Sequence, residues 1–174
     1  MDKDQQGKLA GILGYALNME RNGKAFFENA LHRVENPNAV TALARLVEEE
    51  EGHVVLIQQA MELLGMGETR GYTALVGKAL KPVRYFDRNA QKDFLRQIRE
   101  TPTLPDLSVF QTAWLIEREI CRFYERAAGR AAGQIRALLM RLYDFERKHE
   151  IFFRRYYDEL TAVYAAVYQE RPWA

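Results

Sequence analysis

Four long stretches of this chain repeat apolar residues at helical spacing, and a glutamate breaks the apolar stripe of each near its middle. The first stretch, about 6–34, carries Ile12, Ala16, Met19, Gly23, Phe27, Ala30 and Val34, with Glu20 among them. The second, 37–64, opens at Asn36-Pro37, an N-cap followed by proline at the first helical position. It runs through Leu43, Val47, Val54, Ile57, Met61 and Leu64, with Glu50 inside the stripe and Gly65 where a C-terminal glycine cap belongs. The third, 109–128, follows a capping-box pattern at Ser108–Gln111 and carries Ala113, Ile120, Tyr124 and Ala127 around Glu117. The fourth, 131–157, carries Ile135, Leu139, Leu142, Phe153 and Tyr156 around Glu146. The remaining 158–174 forms an extension that continues the fourth helix or folds back.

The links decide the topology. The first two helices are joined by a few residues near Glu35 and the last two by a few near Gly129, so each pair makes an antiparallel hairpin. The segment 65–107 between the hairpins is far longer than an ordinary connection and can run the length of a bundle. Asn89 to Glu100 reads as a helical piece within it, closed off by Pro102 and Pro105. These features predict one all-α domain, a four-helix bundle with a single long crossover.

Composition excludes several classes. The net charge is +1 with both signs spread along the chain, so there is no basic footprint for nucleic acid. No apolar run reaches membrane-spanning length, and Met1 to Lys8 are polar and charged, which predicts no secretory signal. The one cysteine, Cys121, excludes an internal disulfide and a four-cysteine metal site; a reducing cytoplasm is the expected compartment.

Two of the three histidines stand in Glu-x-x-His, at Glu50–His53 and Glu146–His149. Residues three apart on a helix share a face, so each pair points to one side. A carboxylate facing a core is costly unless it is paired or bound to metal. The two hairpins also read as copies of one unit. Glu20-Arg-Asn-Gly-Lys-Ala-Phe-Phe-Glu aligns with Glu117-Arg-Glu-Ile-Cys-Arg-Phe-Tyr-Glu, and Glu20 lies almost as far before Glu50 as Glu117 lies before Glu146. A pseudo-twofold axis between hairpins follows. Di-iron carboxylate bundles take one Glu from each of two helices and Glu-x-x-His from each of the other two. Glu20, Glu50, His53, Glu117, Glu146 and His149 meet that pattern. Four carboxylates balance two divalent ions, and the mixed oxygen and nitrogen donors suit iron, manganese or zinc without ranking them.

These stretches, with Glu49-Glu50-Glu51-Gly52-His53 and Glu146-Arg-Lys-His149, resemble the rubrerythrin family of ferritin-like proteins over most of residues 6–157. The resemblance implies a ferritin-like fold, a non-haem pair of irons reacting with hydrogen peroxide or dioxygen, and a homodimer. Rubrerythrins proper carry a four-cysteine electron-donating domain; with one cysteine here, an external electron donor is expected. They also place a second Glu three residues after the helix-three ligand, where this chain has Ile120. The leading expectation is therefore a di-iron oxidoreductase acting on peroxide or dioxygen, or oxidising ferrous iron. The alternatives are a non-catalytic iron-handling protein and a helical interaction module with a structural metal.

Other residues receive plainer readings. Glu48, Glu49 and Glu51 fall off the stripe and read as solvated, with Glu49 placed to support a ligand. Glu117 is preferred over Glu119 by its match to Glu20. His32 reads as a surface or capping residue, Cys121 as a small buried side chain, and Tyr124 as core packing, with a hydrogen bond to a ligand or the passing of an electron as its alternatives. The aromatic residues Phe152, Phe153, Tyr156, Tyr157, Tyr164 and Tyr168 read as packing or a dimer surface.

Overall fold

The computed structural model describes residues 3–67, 96 and 104–170. Four helices fill them: α1 (Lys3–Ala30), α2 (Pro37–Gly65), α3 (Leu104–Gly129) and α4 (Gly133–Glu170). α1 packs on α2, α3 on α4, and α1 also lies against α3. Most of the 65–107 crossover, with the helical piece expected at Asn89–Glu100, lies outside the described residues, Arg96 apart.

Side-chain contacts give the directions. Gln6, near the start of α1, donates to the Leu64 carbonyl at the end of α2 (2.7 Å), so these helices are antiparallel. At the other end of α1, the Glu35 N–H donates to Oδ1 of Asp106 in the first turn of α3 (3.0 Å). The end of α2 and the start of α3 therefore lie at opposite ends of α1, as a crossover spanning the bundle requires.

Several boundaries differ from the expected ones, each for a local reason. α1 stops at Ala30; the next residues tighten into a turn in which Arg33 N–H reaches the Ala30 carbonyl (2.9 Å). His32 is exposed in that turn. Asn36 is the expected N-cap, its side chain accepting from Asn38 N–H at 2.9 Å and Ala39 N–H at 3.4 Å. α2 ends one residue later than expected, and the left-handed residue is Gly67 (φ 73°), not Gly65. α3 starts at Leu104, so Ser108 lies inside the helix instead of capping it. Pro105 falls in the first turn, where a missing N–H leaves no bond unmade. α4 begins at Gly133 (φ 58°) and continues to Glu170 as one helix, because no glycine or proline interrupts 134–170. The extension thus prolongs the fourth helix, and Leu160 is still fully buried.

The core is split in two. One apolar cluster gathers Leu9, Leu13, Leu56, Ile57, Tyr124, Leu139 and Leu142. The other gathers Phe27, Leu43, Leu46, Phe110, Phe153 and Tyr156. Rings lock the second across three helices: Phe27 stacks on Phe153 (5.7 Å) and Phe110 meets Tyr156 edge-on (3.9 Å). Between the clusters lies a layer of buried acidic and imidazole side chains.

Candidate metal centre

Each helix delivers its share of that layer from one stripe position. α1 brings Glu20, α2 brings Glu50 and His53, α3 brings Glu117, and α4 brings Glu146 and His149. All six are at most 1% exposed. The i, i+3 spacing sets each Glu and His of α2 and α4 on the face that meets the other helices.

The side chains form two overlapping groups, Glu20–Glu50–His53–Glu146 and Glu50–Glu117–Glu146–His149. In each, one ligand atom per residue lies within 4.8 Å of all the others. Glu50 and Glu146 belong to both and divide their oxygens between them. His53 Nδ1 is 2.6 Å from Glu146 Oε1 and 3.6 Å from Glu50 Oε2. His149 Nδ1 is 3.3 Å from Glu146 Oε2 and 3.2 Å from Glu50 Oε1. Glu20 completes the first group, with Oε2 at 3.5 Å from His53, and Glu117 the second, with Oε1 at 3.7 Å from His149. The imidazoles face each other with centroids 5.8 Å apart. These are two adjacent groups, each able to hold a metal ion, that share two carboxylates.

The donors fit such a pair. Both oxygens of Glu117 are buried without a hydrogen-bond partner, and Oε2 of Glu20 and the oxygens of Glu50 and Glu146 face only the two imidazoles. Orphaned carboxylate oxygens at this density are costly in a core, and divalent cations supply what they lack. Without metal the layer must hold protons instead. Burial, and then the Glu146 charge, raise the Glu20 and Glu117 carboxyls well above their usual range. Burial opposes charging of both histidines, but the surrounding carboxylates outweigh it and raise His53 and His149 well above theirs. Burial also works against ionised Glu50 and Glu146, yet the imidazoliums overcome it and lower both. The metal-free layer thus favours protons on Glu20, Glu117 and the two imidazoles, and negative charge on Glu50 and Glu146.

Two neighbours complete the layer. Glu49 Oε2 lies 2.9 Å from Nε2 of His149, on the side of the ring away from the cluster, which matches its expected supporting place. The Tyr124 hydroxyl donates to Glu20 Oε1, so the packing role expected for Tyr124 is incomplete. The signal for it was the repeat: Tyr124 aligns with Phe27, and the hydroxyl is what distinguishes the two. Phe145, which the sequence reading passed over, lays its ring edge against His53 (5.8 Å). Glu119 is exposed and pairs with Arg122 at 2.7 Å, leaving Glu117 as the inward residue. Cys121 is buried, and desolvation with the nearby Glu146 and Glu117 charges pushes its thiol far up, so it is an inert packing group.

Beside the layer, a groove of about 410 Å³ runs between α1 and α3. Its lining includes Met19, Gly23, Ile116 and Ile120, which flank the two single-glutamate positions. Ile120 Cδ1 lies 3.5 Å from where a Cβ on Gly23 would sit, so the buried isoleucine fills the space its repeat partner leaves.

Among the described residues, no helix is long and apolar enough to cross a membrane. No curated protein matches the chain significantly, and no solved structure does. The family model for rubrerythrin matches residues 11–157, which takes in all four helices and all six donors. The buried Glu and His layer is a candidate metal site, and the chain belongs to the rubrerythrin family.

Proposed function

We propose that this protein binds two iron ions between Glu20, Glu50, His53, Glu117, Glu146 and His149, and reduces peroxide or dioxygen with electrons from an external donor. The observation that carries the reading is the sharing of Glu50 and Glu146, each offering one oxygen to either cation position. When bound, a ferrous pair supplies the two electrons that a peroxide O–O bond takes up; with two protons, two waters result. The chain's own work is to hold the donors and exclude water. Apolar clusters close the layer along the bundle axis, and Tyr124 holds a proton against Glu20 Oε1. We place the protein in the cytoplasm as a homodimer, in keeping with its family.

One feature favours a second reading, a protein that stores or passes on iron without turnover. The position of the additional Glu in rubrerythrins proper is Ile120, which is buried and makes no polar contact. Anaerobic loading with ferrous ions, metal analysis and a peroxide pulse with a reduced electron donor separate the two. Two irons per chain and catalytic peroxide loss are expected. Tight iron binding with no turnover would establish the second reading instead.

A further inference from the structure

The internal repeat makes the two cation positions comparable residue by residue, and their surroundings differ. Aligning the Glu-x-x-His segments puts Glu49 opposite Phe145. Glu49 accepts from the imidazole of His149 at 2.9 Å. Phe145 meets the imidazole of His53 with a ring edge at 5.8 Å and offers no acceptor from that place. Aligning the single-glutamate segments puts Phe27 opposite Tyr124. Tyr124 donates to Glu20, whereas Phe27 has no hydroxyl to give Glu117.

Each difference pushes the same way. A carboxylate accepting from the far nitrogen of a ligating histidine raises that ligand's basicity and fixes its orientation. Glu49 also adds a negative charge beside one position alone, only 11% exposed and so poorly screened by solvent. A hydroxyl donating to a ligating carboxylate draws electron density from it, so Glu20 is the poorer donor of the two single glutamates. Among the described residues, the position held by Glu117 and His149 therefore has the stronger donors and the extra anion, and the position held by Glu20 and His53 has neither.

We infer that the two positions are inequivalent and fill in order, the Glu117–His149 position first, with Glu49 as the positioning residue that sets the order. The inference rests on the metal-site reading above, and it goes further by saying which half of the site is occupied when metal is scarce. A half-filled site of this kind holds its one ion at the Glu117–His149 position, and a full one holds the second ion more exchangeably.

The test is a titration of the metal-free protein with cobalt(II), followed by calorimetry and visible absorption. Two resolved steps are expected, separated by about tenfold or more in affinity. His53→Ala keeps the first step and loses the second, while His149→Ala loses the tight step. Glu49→Ala weakens the first step by about tenfold and draws the two together. Glu49→Gln, which keeps an acceptor and loses the charge, falls between parent and Glu49→Ala, an intermediate result that a general loss of folding would not give. One step of two equal sites overturns the inference, and so does a Glu49→Ala isotherm that matches the parent. Absence of any binding would instead overturn the metal-site reading, and this inference with it.

Discussion

Tyr124, on α3, donates its hydroxyl proton to Oε1 of Glu20, on α1, and so joins the two hairpins inside the acidic layer. Both residues are fully buried. Burial raises the Tyr124 phenol well above its usual range, as does the Glu146 charge, so it remains a donor at any ordinary pH. Tyr124→Phe keeps the ring and removes only the bond. It is expected to destabilise the metal-free protein by about 1 kcal/mol. In a domain of this size that lowers the melting temperature by about 2–4 °C. Thermal unfolding of both metal-free proteins checks it, and equal melting temperatures would show that the bond adds nothing.

Acidity should act on the metal-free protein opposite to its usual effect on metal proteins. Glu20 and Glu117, raised from 4.5, give stability that is whole below that value and is lost as pH climbs through their folded values. His53 and His149, raised from 6.5, add stability that is whole below 6.5 and is lost above it. Glu50 and Glu146, lowered from 4.5, contribute above that value and fail only as pH falls below it. The metal-free melting temperature should therefore fall between about pH 5 and about pH 8. Metal requires deprotonated donors, so the loaded protein should show the reverse slope and a higher melting temperature throughout. Thermal scans across that range, with and without ferrous ions, decide it; parallel curves would sink the account of the layer.

Loading should also release protons. Glu20 and Glu117 each give up one on binding, and so does each imidazolium. Titration in weak buffer at neutral pH is expected to show close to two protons per ion. Uptake without acidification would mean that the four carboxylates are already ionised and both imidazoles already neutral.

Ile120 gives a prediction about turnover. Ile120→Glu sets a carboxylate one turn beyond Glu117 on the same face. It replaces a core side chain with a charge and should destabilise the metal-free protein. With metal present the charge has a partner. The variant is expected to bind two ions and to consume peroxide faster than the parent at matched iron content, with an external donor and without oxygen. A parent already as fast would show that Ile120 does not limit the reaction.

The six donors were legible in the sequence because a glutamate inside an apolar stripe is a physical contradiction, and four of them at matching registers admit few resolutions. Asn36-Pro37 was legible for the same kind of reason, since its capping chemistry is local. What escaped depends on meetings between helices. Pro105 reads as a stop, yet it falls in the opening turn of α3, where the next residue, Asp106, is buried and accepts from Glu35 N–H. Nothing near Tyr124 in sequence says that its hydroxyl reaches Glu20, because the acceptor lies on another helix. The contact of Phe145 with His53 escaped likewise, for it joins α4 to α2.

The donors are divided three and three: Glu20, Glu50 and His53 on one hairpin, Glu117, Glu146 and His149 on the other. Bound metal then fastens one half of the chain to the other at mid-bundle. A chelator applied to this protein would cut that fastening and leave the halves held by the apolar clusters and by the Tyr124–Glu20 and Glu35–Asp106 bonds.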